Sequence, residues 1–329
     1  MTTMSAPAIA PGGTDAAHQH EQSEVKALLQ RIGDGWIKRA KVRRDAIDLT
    51  FDPARPDFLE ELLPFHAHPL YQRLAPELKS KILSAGWIIY NEKTVAIESA
   101  IVSPSCYDAL DGRIPGLTDE TSRQIVCETL VDEAYHLLLV ANANRLTRAH
   151  RGLDDLKIPG FNLVTMMNRE KALQSEDWQK ILVHLATSVV SEIFVSDYLH
   201  QLSDCTEIQP MNMATVAAHR HDELAHSKIF TLMTKTFYPA LSPREQAFFA
   251  SVLPKPIEWF ADLELDIWSS VLEQLRVPGA ATIVADCRPL NAAARERLDY
   301  TGIVGLSHEV GILSTDAGRN SFTAMGIAI

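Results

Sequence analysis

The 329-residue sequence is poor in cysteine, in net positive charge and in long apolar runs, and each shortage excludes a class of protein. The four cysteines are far apart and form no CxxC pair, which predicts reduced thiols in a cytoplasmic protein rather than a disulfide framework or a zinc ribbon. A formal charge of −11 argues against a nucleic-acid-binding surface. No apolar run approaches the ~18 residues that span a bilayer, so no membrane association is expected.

Alternating patterns typical of strands are also scarce, and helical periodicity dominates. The first 22 residues are rich in Ala, Pro, Gly, Thr and His, and they lack a basic start followed by an apolar block. We therefore predict a disordered tail over residues 1–22, not a signal peptide, followed by a single domain over residues 23–329.

Four long helices are expected, with Pro76 and Pro210 as first-turn prolines and Ser103-Pro104 as the end of the first. Gly152, Pro159 and Gly160 place a long crossover between the second and third helices. The fold class is therefore all-α, a four-helix bundle with one long crossover and additional flanking helices. The four expected helices are 76–102, 119–148, 177–203 and 210–238, and the flanking ones are 23–40, 243–252 and 256–275.

The motif Glu-x-x-His occurs twice, at Glu133–His136 and at Glu223–His226, each time on an expected bundle helix. Bundles that bind two iron ions take a Glu-x-x-His from each of two helices and one Glu from each of the other two. Glu98 and Glu192 lie within apolar stripes, where an unpaired carboxylate is costly, and they complete that set in the required order. The alternative is that these are buried glutamates paired with Arg, Lys or His. A set of four Glu and two His is harder to explain in that way. Oxygen-rich ligation with imidazole suits iron or manganese better than zinc.

Four further residues lie near these candidate ligands on the expected bundle helices. His219 stands one turn before Glu223, as a further ligand or as a core histidine. Asp132 and Asp222 each lie four residues before a motif histidine. They could accept its spare ring N–H on their own helix or across the pair, or they could be solvated. Tyr90, about two turns before Glu98, could border a substrate cavity or lie in the core.

With these residues in place, the sequence resembles the ferritin-like di-iron arylamine N-oxygenases of antibiotic biosynthesis, the p-aminobenzoate N-oxygenase type, over residues 30–310. The extra histidine is that family's mark, so the resemblance makes His219 a metal ligand. It also implies two iron ions, O₂ as co-substrate, an unidentified electron donor and a homodimer. The expected reaction converts an aryl amine to a nitroarene through hydroxylamine and nitroso stages. The resemblance is carried by Tyr90-Asn91-Glu92 through Glu98, Val131–His136, Glu192, and His219-x-x-x-Glu223-x-x-His226.

The end of the chain departs from the aminobenzoate-oxidising members. Those enzymes are understood to hold the substrate carboxylate with a late arginine, and aligning Asp299-Tyr300-Thr301-Gly302 puts Val304 at that place. The resemblance therefore implies an arylamine without a ring carboxylate, most like the aryl-amine precursor of chloramphenicol. The alternatives are another ferritin-like oxidase or hydroxylase, or a non-enzymatic iron-storage protein.

Overall fold

The computed structural model describes residues 13–43, 50–296 and 298–329, and every regular element within these residues is helical. A five-residue π-helical segment, Glu98–Val102, joins the α-helices Pro76–Ile97 and Ser103–Leu110. Short 3-10 turns occupy Lys41–Arg43, Glu60–Leu62, Tyr238–Ala240 and Ile312–Ser314. The α-helices are α1 Gly13–Arg39, α2 Pro69–Gln72, α3 Pro76–Ile97, α4 Ser103–Leu110, α5 Glu120–Arg151, α6 Asn162–Ala172, α7 Asp177–Ser203, α8 Pro210–Phe237, α9 Pro243–Val252, α10 Lys255–Ala261, α11 Leu265–Gln274, α12 Ala280–Cys287, α13 Leu290–Arg295, α14 Thr301–Glu309 and α15 Asp316–Ala324.

Four of these units form the bundle: α3 with its π segment and α4, then α5, α7 and α8. α7 lies along α8, α5 contacts both α3 and α8, and the π segment contacts α7. Residues 152–176 connect α5 to α7 and contain α6, as the crossover in the sequence predicted. The all-α, ferritin-like fold class is thereby confirmed.

Local chemistry accounts for the ends of the bundle helices. The carboxylate of Asp119 accepts hydrogen bonds from the backbone N–H groups of Thr121 and Ser122 and so caps the start of α5. Gly152 ends the same helix with a left-handed φ of 63°. Pro76 and Pro210 open α3 and α8 from the first turn, as expected.

The ends of the chain are more helical than the sequence suggested. Residues 1–12 of the expected tail lie outside the described residues, whereas residues 13–22 belong to α1, so this helix begins before the expected residue 23. The stretch expected as one helix over 256–275 is divided between α10 and α11, because Glu264 adopts a left-handed φ of 54°.

The expected helix end at Ser103-Pro104 is wrong, because the chain continues as helix through Leu110. Proline lacks a backbone N–H, so it normally interrupts the hydrogen-bond ladder of the preceding turn. Here the preceding turn is π-helical, and polar side chains of α7 donate to its carbonyl groups. The helix therefore continues past Pro104.

α7 is the most deeply buried helix of the bundle. Among the described residues it is the one helix whose length and apolar composition would allow it to span a bilayer, but 72% of its apolar window is buried inside the protein. Such burial is typical of the core helix of a large bundle. α1 packs against α5 and α8.

Candidate metal centre

The bundle interior brings six of the seven expected metal ligands together. Each offers a ligand atom to one of two overlapping groups, in which these atoms all lie within 4.8 Å of one another. All six side chains are buried, and His136 and Glu223 belong to both groups. The first group is Glu98, His136, His219 and Glu223, and the second is Glu133, His136, Glu223 and His226.

Glu223 stands at the middle of the cluster. The helical spacing of α8 turns His219, Glu223 and His226 onto one face. The Oε1 atom of Glu223 lies 3.1 Å from His219 Nε2 and 3.3 Å from His226 Nδ1 on its own helix. It also lies 3.2 Å from Nδ1 of His136 on α5. One carboxylate oxygen therefore faces all three imidazoles.

The other two glutamates of the groups flank this centre. Glu98 Oε1 lies 2.9 Å from His219 Nε2, and Glu133 Oε1 lies 3.1 Å from His226 Nδ1. His219 is thus placed on the Glu98 side of the cluster and His226 on the Glu133 side. Every ion-pair contact of Glu98, Glu133 and Glu223 within the described part of the chain is with a histidine.

The seventh expected ligand, Glu192, lies beside this cluster but belongs to neither four-residue group. Its side chain is buried on α7 and forms a hydrogen bond with Glu223. Burial, together with the charges of Glu223 and Glu133, raises the pKa of Glu192 well above its ordinary value. Burial and the neighbouring negative charges therefore favour the neutral form of the Glu192 carboxyl group.

Burial and pairing also displace the pKa values of the other members. Burial raises the pKa of Glu98 to about 7, against the opposing effect of His219. Burial disfavours the charge of Glu223 as well, but the three adjacent histidines outweigh it and hold its pKa well below the ordinary value. Burial likewise opposes protonation of His226, yet Glu223 and Glu133 raise its pKa well above 6.5. The histidines therefore favour the charged form of Glu223, and the glutamates favour the charged form of His226.

Unpaired buried atoms show that this donor set fits a metal centre. Within the described residues, the Oε2 atoms of Glu98, Glu133 and Glu223 have no hydrogen-bond partner, while their Oε1 atoms lie near histidine nitrogens. A buried polar atom without a partner costs ~1–3 kcal/mol, and more when charged. Bound cations would satisfy these atoms, and carboxylates with imidazoles suit iron or manganese. The buried Glu and His side chains therefore form two groups that could hold metal ions.

Asp132 and Asp222 contact the outer nitrogens of the two motif histidines, each across the pair of helices. Asp222 Oδ2 on α8 lies 3.4 Å from Nε2 of His136 on α5, and Asp132 Oδ2 on α5 lies 3.3 Å from Nε2 of His226 on α8. An Nε2–H that donates to a carboxylate leaves Nδ1 directed at the glutamates. The sequence had left open whether these contacts would form on one helix or across two.

The end of α1 holds both aspartates, and the sequence reading missed it. The indole Nε1 of Trp36 donates to both oxygens of Asp132 at 3.0 Å, and the backbone N–H of Lys41 donates to Asp222 at 3.1 Å. The Nη1 atom of Arg39 lies 3.9 Å from Asp132 and 3.7 Å from Asp222. No sequence signal indicated these contacts, because Trp36 and Asp132 are 96 positions apart in the chain.

Removing the Arg39 charge should weaken metal binding without removing a ligand. We expect Arg39→Gln to lower the metal affinity of the chain about tenfold, because Asp132 and Asp222 would lose a shared cation and would orient their histidines less firmly. Competition with a coloured chelator during cobalt titration measures this affinity. Arg31→Gln, an exposed position on the same helix, is the control and should leave the affinity unchanged. Equal affinities for both variants would contradict a role for α1.

Tyr90 and Val304 belong to neither four-residue group. The Tyr90 ring stacks on Tyr198 with centroids 4.4 Å apart, and its hydroxyl donates to the Tyr198 carbonyl, so it faces the backbone of α7 within an aromatic core. Val304 is partly buried on α14, which packs on α7. A Cβ at Gly302 of α14 would lie 3.1 Å from Ile193, the neighbour of Glu192. Contact of Val304 with a substrate stays a prediction.

Comparisons with known proteins indicate the family to which the chain belongs. The family model described as p-aminobenzoate N-oxygenase AurF matches residues 22–311. The curated 4-aminobenzoate N-oxygenase of Streptomyces thioluteus is 28% identical over 298 residues, which cover 89% of this chain and 88% of that protein. The matched range contains every residue of the metal site together with most of α1. The chain belongs to the AurF family of p-aminobenzoate N-oxygenases and is an aryl-amine N-oxygenase.

Proposed function

We propose that the chain is a non-haem di-iron N-oxygenase that uses O₂ to convert an aryl amine to a nitroarene through hydroxylamine and nitroso stages. The observation that carries the proposal is the pair of overlapping buried four-residue groups in a chain of an N-oxygenase family. A single group would accommodate one ion, whereas two groups that share Glu223 accommodate two adjacent ions. The residues that would hold them are Glu98, Glu133, His136, Glu192, His219, Glu223 and His226.

The protein residues supply three things to such a site. The four glutamates supply negative charge that offsets the charge of two cations. Asp132 and Asp222 hold the Nε2–H of His226 and His136, which keeps the inner ring nitrogens aimed at the metals. Burial of the whole cluster excludes bulk water from the reacting amine. The bound iron ions supply the activation of O₂, with electrons from a donor that the proposal leaves unidentified.

Val304 supports a substrate without a ring carboxylate. The Streptomyces thioluteus relative is named for 4-aminobenzoate, which carries a carboxylate opposite its amine. A valine offers that anion neither a charge nor a hydrogen bond, and burial of an unpaired carboxylate is costly. We therefore propose that the substrate is the aryl-amine precursor of chloramphenicol or another aryl amine without a ring carboxylate. We also propose that the protein is a cytoplasmic homodimer.

A product assay tests the activity and the substrate together. The iron-loaded chain is incubated with O₂, a chemical reductant and either 4-aminobenzoate or an aryl amine without a carboxylate. The products are then separated and identified by mass spectrometry. We expect the nitro product mainly from the uncharged amine, and a shift of preference toward 4-aminobenzoate in Val304→Arg. A carbon-hydroxylated product would favour another di-iron hydroxylase. No product, together with a large cage-like assembly, would favour iron storage.

A further inference from the structure

Glu98 reaches the metal site from an unusual backbone. It is the first residue of the π segment, and its own N–H is shared between the carbonyls of Thr94 and Val95. One oxygen of its carboxylate lacks a hydrogen-bond partner within the described residues, and the other lies 2.9 Å from Nε2 of His219. Its ion-pair contacts within the described residues are with His136 and His219, which are candidate ligands themselves, so the π-helical backbone contributes to where it points.

That backbone has a defect at Pro104. In a continuing α-helix, the residue at position 104 would donate its N–H to the carbonyl four residues earlier, that of Ala100, but proline has no N–H. A buried carbonyl without a donor destabilises the local structure. The turn that carries Glu98 therefore needs a donor from elsewhere in the fold.

α7 supplies the missing donors from buried side chains. His184 Nε2 lies 3.2 Å from the Ala100 carbonyl oxygen, and Ser188 Oγ donates to the Ile101 carbonyl at 3.0 Å. Ser188 also contacts the hydroxyl of Ser105, one residue beyond the proline, at 2.6 Å. Two side chains one helical turn apart on α7 thus contact the helix before and after Pro104.

Lys171 determines which nitrogen of His184 carries the proton. Its ammonium group lies 3.2 Å from His184 Nδ1 and can only donate, so Nδ1 accepts and Nε2 carries the hydrogen that Ala100 receives. Burial, aided by the charge of Lys171, lowers the pKa of His184 to about 4. The ring is therefore neutral, and its single N–H donates to the Ala100 carbonyl of the π segment.

We infer that His184 and Ser188 are positioning residues, which hold the π segment at Ala100 and Ile101 and thereby aim the Glu98 carboxylate at one of the two metal positions. This inference rests on the proposed two-metal site. Since Glu98 belongs to one four-residue group and not to the other, loss of the anchor affects the two positions unequally. A merely structural role would affect both positions alike.

Cobalt(II) titration of the metal-free chain tests this, because each bound equivalent is seen by its visible absorption. We expect His184→Leu to weaken one of two cobalt equivalents about tenfold or more and to leave the other unchanged. His184→Gln retains an amide N–H and should restore most of the affinity. His200→Leu, at an exposed position on the same helix, should match the unmodified chain. Ser188→Ala removes only one hydroxyl, and it should show a smaller, equally selective loss even if His184→Leu does not fold.

Three outcomes would overturn the inference. Equal weakening of both equivalents in His184→Leu and Ser188→Ala would show general loosening of the bundle, and unchanged titrations would show that the anchor is not needed. Either result leaves the two-metal proposal standing, because the unmodified chain still binds two equivalents. An unmodified chain that binds fewer than two would instead overturn both proposals at once.

Discussion

Replacing Glu223 with alanine should remove both metal ions and with them the N-oxygenase activity. Its Oε1 lies within 3.3 Å of a ring nitrogen of His136, His219 and His226, and Glu223 belongs to both four-residue groups. No other glutamate is shared between the two groups. Outer residues of metal sites already contribute ~10–100-fold to affinity, so loss of a shared ligand should exceed ~100-fold. Elemental analysis of the purified variant measures the metal content.

The control for this variant is Glu273→Ala, a substitution of an exposed glutamate on α11. It should keep the metal content and the activity of the unmodified chain. Thermal unfolding without metal separates ligand loss from misfolding, since the folded but metal-free variant should still unfold cooperatively. A Glu223→Ala chain that retained two metal ions would contradict the placement of Glu223 between them.

His219→Ala is expected to lower N-oxygenation about 100-fold while leaving the bundle folded. His219 Nε2 lies 2.9 Å from Glu98 and 3.1 Å from Glu223, so the imidazole stands where a nitrogen ligand to the Glu98-side metal would be. Without it, that position would be left to water, and we expect weaker binding of one metal and a slower reaction at the amine. Metal content and nitro-product formation are measured on the same preparation.

His221→Ala is the matched control, because His221 lies two residues away on α8 with an exposed side chain. Its activity should equal that of the unmodified chain. A His219→Ala chain that keeps two iron ions and full N-oxygenation would show that this histidine has no part in the reaction. A variant that hydroxylates carbon instead of nitrogen would show that His219 selects the reacting atom.

The proximity of the candidate metal ligands could be predicted from the sequence because helical spacing is strict. A Glu-x-x-His on one helix, or His219 one turn before Glu223, presents its side chains to one face whatever the rest of the fold does. Apolar stripes around Glu98 and Glu192 indicated burial for the same reason. The structure accordingly gathers six of these residues into the two groups and places Glu192 beside them.

Contacts between distant segments could not be predicted in the same way. Trp36 and Asp132 are 96 positions apart, and the spacing within either helix carries no information about their contact. The same holds for the π segment, where the helix continues past a proline that normally ends a helix and His184 of α7 contacts the Ala100 carbonyl. Tertiary packing determined both features, so a local pattern gave the wrong end for the first bundle helix.

The most direct test of the two-metal account is the number of iron ions per chain. Protein produced in iron-replete medium is purified, and its iron and zinc are measured by elemental analysis against the protein concentration. Two overlapping groups of buried ligands predict about two iron ions and little zinc per chain. One tightly bound zinc ion per chain, or no metal at all, would contradict it.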